Sequence, residues 1–198
     1  MELSDEAVRV LGALLEKERT VPDSYPMTLN GLVTACNQSS NRFPVVRYEA
    51  GDVQRSLDDL KDAGLVRFVH PSHGERTTKF RQVFDERTAL LPTEAAVVSV
   101  LFVRGAQTVA EIRTRTERLH AFDDNEEVEA ALRGLATRDE PLVRQLGRQW
   151  THVFAQSDAP AVSDAPASRS SVLDERIAAL EAKVEHLFSL LGESPPNV

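Results

Sequence analysis

The chain has 198 residues, 41% of them hydrophobic, with a net charge of −8, a pI near 5.2 and one cysteine. That length and apolar content suit one large domain or two small ones with a tail, while the acidic balance argues against a protein that coats nucleic acid by bulk charge. A single cysteine permits neither an internal disulfide nor a cysteine-based zinc site; no apolar run approaches the roughly 18 residues that span a bilayer, and Met1-Glu-Leu-Ser-Asp lacks the basic start of a secretion signal, so a cytoplasmic protein with no membrane partner is expected.

Ser4 precedes an apolar series, Val8, Leu11, Leu14 and Leu15, with Asp5 and Glu6 in the first turn. Residues 4 to 18 therefore read as a capped amphipathic helix that stops before Thr20. Val21-Pro-Asp-Ser-Tyr-Pro is a proline-punctuated loop. Thr28 can cap a second helix, in which Leu29, Leu32, Val33 and Cys36 line one face at i, i+3, i+4 and i+7. That helix runs into a polar corner, Asn37-Gln-Ser-Ser-Asn-Arg42, the least generic stretch of the chain. A third helix is expected over 49 to 63, with Val53, Leu57 and Leu60 on one face and Gly64 at its stop. The period then changes: Leu65-Val-Arg-Phe-Val reads as a strand, Pro71-Ser-His-Gly as a turn, and Thr77 to Phe84 as the returning strand of a hairpin. Three helices followed by a hairpin is the order of a winged-helix domain.

The order repeats. Leu3, Glu6, Ala7 and Val10 match Leu91, Glu94, Ala95 and Val98; Thr108-Val-Ala-Glu-Ile stands beside Thr28-Leu-Asn-Gly-Leu; Val128, Leu132 and Leu135 answer Val53, Leu57 and Leu60; Leu142-Val-Arg returns Leu65-Val-Arg. The expected fold class is α+β, mainly α, with winged-helix domains over 1–86 and 87–156. The first copy is longer around its second helix, and additions to a scaffold often carry function. From 157 to 171 the composition turns to Ser, Asp, Ala and Pro, which reads as a flexible linker. In 172–191, Leu173, Ile177, Leu180, Val184, Leu187 and Leu191 form a heptad seam that favours a parallel two-stranded coil and a homodimer, with Arg176 placed to meet Glu181 of a second copy. A tail helix folding back on its own domain is the alternative, and 192–198 reads as a disordered tail.

These residues resemble the YceH-like family of bacterial proteins, uncharacterised proteins with a domain of unknown function. The marks are Leu14-Leu-Glu-Lys, Tyr25-Pro, Asn30-Gly-Leu-Val-Thr-Ala-Cys-Asn-Gln followed by Asn41-Arg, and Arg104-Gly-Ala-Gln-Thr, within a similarity over about residues 3 to 155. The resemblance implies tandem winged-helix domains and brings no catalytic residue with it.

An enzyme is not expected. Cys36 has no protease or oxidoreductase signature around it, and its spacing puts it in the core. His70 and His73 flank the first wing turn without a ligand cluster, and no glycine-rich phosphate loop, nucleophile elbow or paired-histidine metal helix is present, so neither metal nor cofactor is expected. For DNA, the exposed face of the third helix carries Arg55, Asp58, Asp59 and Asp62, and residues 49 to 63 hold five acids against two bases, which opposes insertion into a groove lined by phosphates. The second copy presents Ala130, Arg133, Gly134 and Thr137, a small face suited to packing against protein. The first wing differs: Arg67, Arg76, Lys79 and Arg81 stand against Glu75, close to Arg47 and Arg42. Arg113, Arg115 and Arg118 form a weaker cluster, offset by Glu111 and Glu117. The candidate binding surface is Asn37, Gln38, Asn41, Arg42, Arg47, Arg67, Arg76, Lys79 and Arg81, or else the corner is a hydrogen-bonded helix exit. Two functions stay open: a DNA-associated regulator contacting phosphates through the first wing, and an adaptor binding protein through acidic or small-residue helix faces.

Overall fold

The computed structural model describes residues 2–70 and 77–154, all of which belong to one compact unit. The heptad seam, its linker and the 71–76 turn with Arg76 and His73 lie outside the described residues. What is described is mixed α and β, mainly helical, with seven α-helices and two small antiparallel sheets.

Helix α1 spans Asp5–Thr20. Ser4 accepts a hydrogen bond from the Ala7 amide at 3.1 Å, satisfying one donor left over at the helix start. The helix continues through Thr20, two residues past its expected end, and its last turn is held by the Thr20 hydroxyl donating to Glu16 O and by the Arg19 guanidinium donating to Leu15 O. A short 3₁₀ turn, Pro22–Ser24, leads to strand β1, Met27–Thr28. Thr28 then caps α2, Leu29–Cys36, through its hydroxyl and the Gly31 amide. Helix α3, Ala50–Asp62, begins with the Glu49 amide donating to Asp52 and ends before Gly64, whose φ of +71° is the left-handed conformation glycine adopts without penalty. Strands β2, Val66–Val69, and β3, Lys79–Gln82, pair antiparallel, with β1 on the other side of β3. The expected returning strand stops at Gln82. Phe84 instead opens helix α4, Phe84–Thr88, because its fully buried ring packs against Phe102 and Phe154 rather than extending the ladder.

The second half repeats the order: α5 (Pro92–Arg104), β4 (Gln107–Thr108), α6 (Val109–Thr116), α7 (Asn125–Ala136), β5 (Val143–Leu146) and β6 (Gln149–His152). Its sheet order, β4-β6-β5, matches β1-β3-β2 strand for strand. Thr108 caps α6 in the position Thr28 holds for α2, here as a reciprocal box in which Glu111 returns a bond to the Thr108 amide.

Helix α1 departs from the amphipathic expectation: residues 7 to 15 are buried on every side, including Arg9 and Gly12. Helix α5 is likewise buried from Glu94 to Val103. A helix apolar all round needs neighbours all round, and α1 has α2 and α3 on one side and α5 on the other. Gly12 sets the approach of the two central helices. A Cβ there would lie 2.6 Å from Phe102 Cβ and 2.9 Å from Val103 Cγ1, closer than van der Waals contact permits.

Candidate functional site

The corner after α2 is built from two arginines. The last carbonyls of a helix have no partner within it, and here Ala35 O accepts from Arg42 Nε at 3.0 Å while Cys36 O accepts from Arg9 Nη1 at 3.3 Å. Arg9 Nη2 donates to the Phe43 and Pro44 carbonyls, both at 2.9 Å, fixing where the chain leaves the corner. The Arg42 side chain has no exposed surface, and Arg9 is 4% exposed. Such burial needs counter-charge and hydrogen bonds. Glu16 supplies the charge to Arg42 at 2.6 Å, Gln38 Oε1 accepts from Arg42 at 2.8 Å, and Lys17 donates to both Glu16 and Gln38. Burial raises the Glu16 pKa, but the Arg42 guanidinium and then Lys17 outweigh it, holding the carboxyl below its ordinary value.

Asn37 is used in the same way, its side chain bracketing Tyr48 by donating to Tyr48 O at 2.9 Å and accepting from the Tyr48 amide at 2.8 Å. Asn41 sits at φ +57°, a left-handed position that Asn tolerates better than most residues. Of the four corner residues expected to form a binding surface, Arg42 is thereby corrected to an interior group, and the Asn37 amide and Gln38 Oε1 are turned to the chain itself. Asn41 remains exposed. Cys36 lies beneath the network, fully buried, its thiol pushed up to about 11 by desolvation; thiolate is scarce at neutral pH. Sequence reasoning missed Arg9, Glu16 and Lys17. The spacing 9, 12, 16 places Arg9 and Glu16 on one helical face, but nothing in that spacing says the face is buried.

Of the remaining basic candidates, Arg67, Lys79 and Arg81 lie on the strands of the first sheet. In the first sheet Arg67 stands directly across from Arg81, and Val69 across from Lys79. Side chains alternate along a strand, so Phe68 and Phe80 face inward, with ring centroids 4.8 Å apart, and Arg67, Lys79 and Arg81 share the outer face. Arg67 and Arg47 are exposed, and neither makes an ion pair among the described residues. Arg81 is half-buried and paired with Glu86. The acidic face of α3 is as expected: Arg55, Asp58, Asp59 and Asp62 are exposed, with Arg55 held by Asp52. The corresponding face of α7, Ala130, Arg133, Gly134 and Thr137, is exposed as well, and Arg133 pairs with Glu129.

Two marks of the family resemblance prove structural. The Tyr25 hydroxyl accepts from the Gln82 amide at 2.7 Å, pinning the loop before β1 to β3, and the Asn30-to-Gln38 stretch is α2 with its exit network.

A family model described as "Protein of unknown function, DUF480" matches residues 3–152. A UPF0502 protein of Pelobacter propionicus is 42% identical across 94% of this chain and 90% of its own length. One of Solibacter usitatus is 45% identical across 94% and 93%, and one of Citrobacter koseri 40% identical across the same shares. The chain belongs to this DUF480/UPF0502 family of bacterial proteins.

Proposed function

We propose that this member of the family is a non-catalytic binding protein made of two tandem winged-helix modules, residues 1–86 and 87–156, that takes part in DNA-associated regulation through its first wing. The helix, short strand, helix, helix, hairpin order and the shared β1-β3-β2 pattern support the module assignment. The observation that carries the DNA reading is the placement of Arg67, Lys79 and Arg81 on one outer sheet face, in a chain whose net charge is −8. Three cations on one face of paired strands suit a phosphate backbone, and with α3 turned acidic the contact is positional rather than a reading of bases. The reading takes the heptad pattern in the sequence of residues 172–191 as the basis of a homodimer, which would set the spacing of two such contacts. Titration of the full chain with a random DNA duplex, alongside Arg67→Ala and Lys79→Ala, tests this reading.

The second reading is an adaptor that binds protein without touching DNA. The exposed Asp58, Asp59 and Asp62 favour it, because an acidic helix face repels phosphate and attracts basic protein surfaces. Capture of a defined protein partner that α3 charge reversals abolish, together with no affinity for duplex, would select it.

A further inference from the structure

A second feature involves the corner and owes nothing to the wing. A cleft of about 190 Å³ opens between the C-terminal end of α1, residues 38 to 41 of the corner, the end of α5 and the end of α6. Four cations line it, Lys17, Arg104, Arg115 and Arg118; of the carboxylates, Glu16 is held by Arg42 and Lys17, and Glu111 stands by Arg115. Basic residues at helix ends commonly do no more than satisfy terminal carbonyls. Arg19 satisfies one at the end of α1 and also pairs with Asp85 and Glu18. Arg115 and Arg118 satisfy none among the described residues. Arg115 Nη1 is buried without a hydrogen-bond partner, 3.5 Å from Glu111, whose other oxygen is engaged by Thr108. Arg118 is exposed and makes no ion pair or hydrogen bond among the described residues. Ser40 and Asn41 add neutral polar groups on the facing wall.

We propose that this cleft is a binding site for a small phosphate-bearing anion. Glu16 already offsets Lys17 and Glu111 faces Arg115, so what an incoming anion would meet is the charge of Arg118 and the Arg115 Nη1 that has no hydrogen-bond acceptor. A phosphate oxyanion offers several acceptors to planar guanidinium forks, which is the geometry arginine meets best. The room is below the roughly 300 Å³ at which pockets for larger ligands begin, which favours inorganic phosphate or a small phosphomonoester over a nucleotide. Because its walls come from both repeats, an anion there bridges α1 and the corner to α5 and α6. The corner's exposed part, Ser40 and Asn41, thereby gains a role that its buried part does not have.

The test is calorimetric titration of the full chain with inorganic phosphate and, separately, with glycerol phosphate, at ionic strength held constant with sodium chloride. Saturable binding of either is expected, and the tighter of the two identifies the source of the phosphate group. Arg118→Gln, at an exposed position that leaves the fold intact, weakens it by about tenfold, the order expected for losing a charge-assisted hydrogen bond. Arg115→Lys, which keeps the charge but not the fork, weakens it too. Arg67→Ala leaves it unchanged, which separates this site from the first wing. No saturable binding of either probe, or unaltered affinity in both cleft variants, would overturn the proposal. Displacement of bound phosphate by duplex DNA would also overturn it, by making the cleft part of a nucleic-acid surface.

Discussion

Arg42 places its guanidinium 2.6 Å from the Glu16 carboxylate, with no part of its side chain exposed, and the same group caps the end of α2 through Ala35 O. One residue therefore ties α1 to the exit of α2. Removing it leaves a partly buried carboxylate and an uncapped carbonyl together.

Arg42→Ala is expected to destabilise the fold by about 3 kcal/mol or more, the scale of stranding one member of a buried pair. Lysine at 42 recovers little, because a single ammonium cannot serve Ala35 O, Glu16 and Gln38 from one position. Urea denaturation measures both. A change within about 0.5 kcal/mol for Arg42→Ala, the range of ordinary surface substitutions, would return Arg42 to the surface.

Acid sensitivity follows from His152. Desolvation lowers its pKa to about 4, against a favourable influence of Asp5 and an unfavourable one of Arg144. Its ring packs on Phe102 at 5.3 Å, and Nδ1 accepts the Phe154 amide at 3.3 Å, a bond that only an unprotonated Nδ1 can make. The unfolded chain takes up a proton near pH 6.5 and the folded one near 4, so this contribution is complete above 6.5 and is lost as pH falls through that window. Glu16, with its lowered pKa, loses its contribution in the same direction but below the ordinary carboxylate range. His152→Phe should flatten the stability profile between pH 6.5 and 4 and leave the lower limb in place. A profile unchanged by the substitution would show that His152 is not protonated on unfolding in that range.

Gly12→Ala sets two effects against each other. Alanine gains about 1 kcal/mol of helix propensity over glycine, whereas its Cβ meets Phe102 and Val103 inside contact distance. Overpacking between two buried helices costs about 1–3 kcal/mol, so net destabilisation is expected, seen as a lower midpoint in thermal unfolding. A raised midpoint would mean that α1 and α5 separate more easily than their packing indicates.

Cys36 should resist a thiol reagent at pH 8 until the chain opens, since it is fully buried and its thiol is pushed up to about 11. Labelling that accelerates with urea, in step with unfolding, supports this. Immediate stoichiometric labelling of the native protein contradicts it.

Much of the fold was legible in local signals. Ser4 and Thr28 cap their helices through side-chain oxygens, Gly64 terminates α3 at positive φ, and the leucine spacing locates α3 and α7 because a helical face has only one period. What escaped depends on tertiary pairing. Two-residue strands such as Met27–Thr28 have no pattern of their own and exist because β3 offers a free edge. Phe84 looked like the end of a strand, and only the aromatic cluster shows why the chain turns helical there. The corner was found as a special stretch, but its outward reading failed at Arg42, because a buried guanidinium and a solvated one are spelled alike. Its partners, Arg9 and Glu16, lie 33 and 26 residues away in a helix that reads as amphipathic.

The DNA reading is tested most directly by fluorescence anisotropy of the full chain on a random duplex across a salt series. Contacts from Arg67, Lys79 and Arg81 predict a slope of log K against log salt of about −3, reduced by about one in Arg67→Ala. No binding at the lowest salt, or binding whose slope Arg67→Ala and Lys79→Ala leave untouched, would contradict the first wing as a DNA-contacting surface.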